Sequence, residues 1–324
     1  MTESFGAVSA AGLLKRTDAQ VNDIRGYLST GFAGLDALLR RGGIAPKTFC
    51  ILGGRKGTRK TTVMLNLISR LLVEGRGVGL VGLDESQEAY TLKLMSAMYK
   101  LPLDTLEDVW NTDQGAALRK NFEDDCGGLA LSVGYRPDAA SMTVFLEQAQ
   151  NFTQQQMDVV FIDYLSLMAR PEYGGHNDVS RVPLMLEELQ VWTNEHSVVT
   201  VVLHQVNRQS DMSGRRNHGD RPLSPEDLAY GGEAIADIIL QTYRPALDPI
   251  GNATFEEAEW MLPQSWGKDE KWDYWAKASN RVVQYKDSTF LQLTKNRPGV
   301  ETDFKGLELL SLGTSMKMRT VEEK

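Results

Sequence analysis

The stretch Gly54-Arg55-Lys56-Gly57-Thr58-Arg59-Lys60-Thr61-Thr62 combines glycines, cations and hydroxyls in one short loop. An apolar run leads into it, and a helical apolar run at 63–72 leaves it. That order of strand, glycine-rich loop and helix suits phosphate, because successive backbone N–H groups wrap the anion and the helix N-terminus adds the positive end of its dipole. Lys60 is placed to reach outer phosphates, and Thr61 offers a hydroxyl to magnesium. Against the pattern G-x-x-x-x-G-K-[ST], Gly54 is present, but Arg59 stands at the second glycine. A side chain held at positive φ costs about 1–2 kcal/mol. Gly57 is placed to absorb part of the turn, and an outward-swung Arg59 leaves the pocket open. The expectation is weak ATP binding through 54–62. For this motif alone the bland alternative is a basic surface loop without nucleotide.

Three further strand ends carry chemistry. The run 157–163 is apolar and ends in Asp163, a carboxylate suited to the magnesium shell of a P-loop enzyme. The run 78–83 ends in Asp84-Glu85, and one of these adjacent acids is expected to polarise an attacking water. Solvated strand ends are the alternative for each acid singly. The run 198–203 ends in His204-Gln205. Gln205 is expected to hydrogen-bond a γ-phosphate and His204 to be structural.

Elements must deliver these groups to one place. From 48 to 201, short β-branched or apolar runs alternate with segments of helical period, the signature of βαβ units and a mostly parallel sheet. Strands are expected at 48–53, 77–83, 129–133, 158–163 and 197–203. Ser141 is read as the N-cap of a helix reaching 156. Two polar loops at 170–183 and 207–222 follow strand ends, where open α/β sheets bind ligands. Residues 245–280 read as an insertion with Trp260, Trp266, Trp272 and Trp275, either packing anchors or a base-stacking platform. Strands return over 281–310, with a hairpin expected around Lys286, Asp287 and Ser288. Leu13, Leu14, Val21 and Ile24 have helical spacing, so 1–25 is read as a linker helix packing on a neighbouring copy, 26–312 as the ATPase domain and 313–324 as a tail.

The 324 residues carry a formal charge of −8, so nucleic acid has to be held by local cation clusters rather than by a uniformly basic surface. Arg208, Arg215, Arg216 and Arg221 in one loop, with Arg170 and Arg181 in the other, are the candidates. Cys50 and Cys126 lack metal-site or disulfide spacing and are expected to be structural. No apolar stretch has the length of a membrane span, and a cytoplasmic setting is expected.

Ser29-Thr30-Gly31-Phe32-Ala33-Gly34-Leu35-Asp36, the irregular loop at 54–62, Gly82-Leu83-Asp84-Glu85, Ile162-Asp163-Tyr164-Leu165-Ser166-Leu167-Met168, His204-Gln205-Val206-Asn207-Arg208 and Thr294-Lys295-Asn296-Arg297 resemble, in the same order, the motifs of the DnaB-type helicase motor. The resemblance spans about 26–310. It implies an α/β, RecA-like P-loop NTPase core with a mostly parallel twisted sheet flanked by helices and a C-terminal β-hairpin. It further implies ATP and Mg2+ as cofactors, a homo-hexameric ring around single-stranded DNA, and a helicase loader or primase as protein partner. By position, Asp84 replaces the family's catalytic glutamate, and Lys295 with Arg297 matches the basic pair that reaches a neighbour's γ-phosphate. The sequence departs from the family at Arg59, in having no counterpart of the larger N-terminal domain before Gly26, and at Asp227-Leu228, which Ala229-Tyr230-Gly231-Gly232 follow in place of a basic residue. A recombinase or recombination mediator, or a degenerate ATPase kept as a ring component, shares the same core and remains an alternative.

Overall fold

The computed structural model describes residues 26–133, 139–163, 178–206, 218–228, 232–299, 306–311 and 315–320. The expected linker helix at 1–25 lies outside them, as do Arg170, Arg208, Arg215, Arg216 and the side chain of Arg181.

In chain order the main elements are β1 (Phe49–Gly54), α1 (Lys60–Val73), β2 (Val78–Gly82), α2 (Gln87–Tyr99), α3 (Leu103–Val109), α4 (Asp113–Asp125), β3 (Leu129–Val133), α5 (Ala139–Thr153), β4 (Val159–Asp163), α6 (Asp178–His196), β5 (Val199–Gln205), β6 (Ile238–Tyr243), α7 (Pro249–Asn252), α8 (Phe255–Met261), α9 (Lys268–Gln284), β7 (Ser288–Asn296), β8 (Leu307–Ser311) and β9 (Met318–Thr320). The nine strands form one sheet in the order β3-β2-β4-β5-β1-β6-β7-β8-β9. Pairings from β3 through β6 are parallel, and those from β6 through β9 are antiparallel. Helices cover both faces, which is why β1, β2 and β4 are buried along their whole length and read as continuous apolar runs.

Side-chain alternation divides the interior into two layers. Cys50 and Leu52 join Met64, Leu65 and Ile68 of α1 on one face. Phe49 and Ile51 join Leu146 of α5 with Leu186, Leu189 and Trp192 of α6 on the other. Each buried side chain of this size contributes about 1.5–3 kcal/mol relative to exposure, so the middle of the sheet is a rigid base for the loops at its edge. The motif at 29–36 is a local lock beside it. The Asp36 carboxylate accepts hydrogen bonds from Ser29 Oγ (2.7 Å), Thr30 Oγ1 (2.6 Å), and the backbone N–H groups of Thr30 (2.8 Å) and Gly31 (3.2 Å).

Strand positions follow the sequence to within about two residues, the scatter normal for element ends. Three readings need correction. The helix assigned to Ser141 starts at Ala139, so Ser141 lies inside the first turn and is not the N-cap. No hairpin forms at Lys286–Asp287–Ser288: α9 runs to Gln284 and a short turn feeds β7, because Lys268–Gln284 keeps helical spacing and a Glu270 carboxylate caps its start at Gly267 N–H (2.8 Å). The antiparallel partner of β7 in that direction is β8. Finally, 313–324 is more than a tail: β9 extends the sheet and buries Met318 completely.

The tryptophan-rich insertion folds as α7, α8 and α9 around a small core of Ile250, Ala258, Leu262 and Ala278. Trp275 is an anchor, donating its indole N–H to Ala253 O (2.9 Å) and meeting Trp272 and Phe255 edge-on or tilted. Trp260, in contrast, is 82% exposed and anchors nothing.

Candidate nucleotide site

β1 ends at Gly54, where the chain must turn sharply beside β6. Gly54 has φ 155°, and a Cβ there would collide with the hydroxyls of Thr58 and Thr242. Those two hydroxyls hydrogen-bond each other (2.8 Å), and Thr58 Oγ1 also reaches Arg55 O (2.8 Å). Gly57 follows at φ 82°, and a second left-handed residue is Arg59 at φ 65°, ψ 32°, immediately before α1. The turn therefore keeps the backbone shape that a glycine at 59 would adopt, with the conformational cost placed on an arginine.

The Arg59 side chain points away from the loop's interior. Its guanidinium donates to Asp287 O (2.9 Å) and to Ser311 Oγ, tying the loop to the turn before β7 and to the end of β8. Arg244 makes a parallel tie from the end of β6, donating to Gly57 O (3.1 Å) and Lys286 O (3.2 Å). The outward orientation expected of Arg59 is the one observed. Burial lowers the basicity of both guanidinium groups, and the proximity of Arg59 adds to this at Arg244.

Lys60 begins α1 and folds back, its Nζ donating to Gly54 O (2.8 Å) and Arg55 O (2.9 Å). Burial pushes its pKa down to about 8, against the opposing influence of Asp163 and Asp84. Thr61 Oγ1 donates to Asp163 Oδ2 (3.0 Å), and Tyr90 of α2 donates its hydroxyl to the same oxygen (3.0 Å). Burial raises the Asp163 carboxyl to about 6, with the two hydroxyls pulling it down and Asp84 and Glu85 pushing it up. The neighbouring acids differ. Glu85 pairs with Lys93, one side of α2, whereas Asp84 is exposed at the loop tip. Gln205 is the exposed last residue of β5, in register with Gly54 across the strand pair.

Thus Gly54, Lys60, Thr61, Asp84, Asp163 and Gln205 gather at the carboxyl ends of β1, β2, β4 and β5. The residues fit a nucleoside triphosphate with magnesium: a glycine that no larger residue can replace, a cation that has turned back onto the loop's own carbonyls, and a hydroxyl paired with a carboxylate at the head of a 14-residue helix.

Lys295 and Arg297 are not part of this group. In the antiparallel β6–β7 pair, Lys295 opposes Ile239, while Gly54 sits level with Thr242. At about 3.3 Å per residue, that puts Lys295 about 10 Å down the sheet toward its opposite rim, with Arg297 farther still. There Lys295 donates to Glu233 O, and Arg297 pairs with Asp237 Oδ1 (3.2 Å) and donates to Ala234 O (3.1 Å). Of the six candidate DNA-contacting arginines, Arg221 is the one whose side chain is described, and it pairs with Asp220 (3.5 Å).

Sequence reasoning missed Tyr90, Thr242 as the partner of Thr58, and Arg244. Tyr90 had a readable signal, a tyrosine one helical turn after Ser86 on a segment leaving a strand end. The pairing of Thr58 with Thr242, 184 residues apart, had none.

The family description "DnaB-like helicase C terminal domain" matches residues 27–301. The replicative DNA helicase DnaB of Helicobacter pylori strain J99 is 29% identical over 224 residues, covering 67% of this chain and 44% of that protein. The corresponding protein of a second strain is 27% identical over 223 residues, covering 67% and 43%. The chain thus matches less than half the length of these curated relatives. Among solved structures, a DnaB-like replicative helicase described with its primase interactions superposes with a TM-score of 0.68 at 16% identity, covering 97% of this chain and 67% of that one. A solved ATPase domain superposes with a TM-score of 0.69 at 15% identity, covering 97% and 100%. These structures share the fold, and the sequence match over most of the chain, with the gathered phosphate-loop residues, shows that the chain belongs to the DnaB-like helicase C-terminal domain family.

Proposed function

We propose that this chain is the ATP-hydrolysing motor of a replicative DNA helicase, working as a ring of six copies on single-stranded DNA. The observation that carries the reading is the convergence of Lys60, Thr61 and Asp163 at the carboxyl end of the central strands, with Thr61 Oγ1 already 3.0 Å from Asp163 Oδ2. Bound ATP with Mg2+ supplies the phosphoanhydride and neutralises charge as it breaks. The chain's part is positioning and electrostatics. The backbone of 54–62 and Lys60 hold the phosphates, with Lys60 giving up its bonds to Gly54 O and Arg55 O to do so. Thr61 and Asp163 hold the metal, directly or through water. Asp84 takes the role of orienting and deprotonating the attacking water, because Glu85 is occupied by Lys93. Gln205 contacts the γ-phosphate and transmits its loss to the loop after β5.

Lys295 and Arg297 act in trans. Their distance from the loop of their own chain and their place on the opposite rim favour a site completed by a neighbour. DNA is held by Arg170, Arg181, Arg208, Arg215, Arg216 and Arg221 through its phosphates, and a primase or a helicase loader is the protein partner, all in the cytoplasm. The test is ATP hydrolysis measured with and without single-stranded DNA. Hydrolysis stimulated by DNA is expected, and a protein that hydrolyses ATP at a rate indifferent to DNA is not a translocating motor.

A further inference from the structure

Tyr90 is fully buried, 1% exposed, on α2, the helix that leaves the Asp84–Glu85 loop. Its ring lies across Gly82, the last residue of β2, so closely that any Cβ at Gly82 would strike it. Gly82 is in register with Asp163 on the adjacent strand β4, and Leu83 N–H closes the pair on Asp163 O (2.7 Å). The tyrosine therefore passes over a bare strand to deliver its hydroxyl to Asp163 Oδ2 (3.0 Å), the oxygen that Thr61 also addresses (3.0 Å). Both donors address one oxygen, so that, among the described residues, Oδ1 is the carboxylate's open acceptor. When the Thr61 hydroxyl turns to a metal ion, Tyr90 is the side-chain contact that still fixes the carboxylate.

We propose that Tyr90 is a positioning residue for the magnesium carboxylate: by holding Asp163 Oδ2 from across Gly82, it aims Oδ1 at the metal shell. This rests on the nucleotide-site reading above. The same helix fixes the other acid of the site, since Lys93, three residues on from Tyr90, holds Glu85. α2 thus sets the metal carboxylate and the loop of the general base as one rigid unit. Partners that orient metal-binding carboxylates change metal affinity by about 10–100-fold when removed, whereas a tyrosine that only fills space loses nothing but a hydroxyl's hydrogen bond.

The experiment uses the whole chain and Mn2+ as probe, with free Mn2+ followed by electron paramagnetic resonance in the presence of ADP, and ADP binding measured separately in EDTA. Tyr90→Phe keeps the ring over Gly82 and deletes only the hydroxyl. The expected result is Mn2+ binding to the ADP complex weakened about tenfold, with ADP affinity in EDTA unchanged. Mn2+ binding equal to that of the unaltered protein overturns the proposal. So does a loss of ADP affinity in EDTA as large as the loss in Mn2+, because the tyrosine is then a packing residue for the whole pocket. Failure of the unaltered protein to bind ADP at all is a different result, and it removes the nucleotide site itself.

Discussion

Opposite rims of the sheet carry cations in opposite circumstances. At the phosphate-loop end, Lys60 is half-buried, less basic than usual, and folded onto carbonyls of its own loop. At the other end, Arg297 is half exposed and paired with Asp237, whose other oxygen accepts from Phe49 N–H at the start of β1 (3.0 Å). One cation is held against the loop by the carbonyls of Gly54 and Arg55. The other lies on the opposite rim, half exposed, in a surface ion pair. Burial concentrates the electrostatics of the first, because a charge out of water interacts more strongly with what enters. Exposure leaves the second free to change partners at little cost, since surface ion pairs contribute about 0–1 kcal/mol. The proposed division of labour between a resident site and a borrowed finger rests on that contrast.

The strongest way to break the comparison is at Lys60. Lys60→Ala is expected to abolish measurable nucleotide binding by calorimetry, since Lys60 is the lysine at the helix N-terminus that faces the loop interior. Unchanged ATP affinity would falsify the assignment of 54–62 as a phosphate loop. At the opposite rim, Arg297→Ala is expected to lower kcat for ATP by about a thousandfold, the scale of an arginine finger, with ATP binding preserved. Mixing Arg297→Ala into unaltered rings should then reduce hydrolysis more steeply than its mole fraction. A strictly linear loss, or a fully active monomer, rules out a shared site.

A smaller effect concerns protons. With its pKa near 8 in the free protein, Lys60 is charged at pH 7 and about half neutral at pH 8. Polyphosphate beside the ammonium favours the charged form, so the complex binds more protons than the free protein at and above pH 8. Nucleotide binding should take up a proton there and weaken as pH rises through that range, with no contribution from Lys60 below about pH 7. Calorimetry at pH 8.5 in two buffers of different ionisation enthalpy reads the uptake, and identical heats in both deny it. Burial of Lys60 as a cation also costs stability below pH 8, a cost relieved as pH rises toward the ordinary lysine value.

The smallest change is expected at Arg59→Gly. Relief of the left-handed strain returns about 1–2 kcal/mol, while loss of the ties to Asp287 O and Ser311 Oγ removes about 0.5–1.5 kcal/mol for each bond. These nearly cancel, so the urea midpoint should hardly move, and ATP hydrolysis should be equal or higher. An unaltered protein with no binding at millimolar ATP, restored by Arg59→Gly, would support a degenerate ring component instead.

Much of this molecule is written in local pattern. The apolar runs ending in Gly54, Asp163 and Gln205 have the continuous hydrophobicity of strands covered on both faces, and the glycine-rich loop between strand and helix specifies its own backbone shape. Where the sequence misled, a longer-range factor decided. The segment around Lys286, Asp287 and Ser288 reads as a hairpin because polar turn residues do not reveal whether a helix or a strand precedes them. β9 was read as a tail because three residues gain a strand's identity only from the edge they join.

The sequence by itself determined the succession of strands along the chain, the position of Lys60, Thr61 and Asp163 at their ends, and the family, because those features depend on residue type within a few positions. Only the tertiary structure decided that Arg59 points outward to Asp287 and Ser311, that Glu85 is taken by Lys93 while Asp84 stays exposed, and that Tyr90 crosses Gly82 to hold Asp163. The first and third depend on which strands lie side by side, and the Glu85–Lys93 pair depends on the angle at which α2 leaves the end of β2. Adjacency such as that of β2 with β4 is set by burying two faces of one sheet at once, a condition on the whole chain that no local window contains.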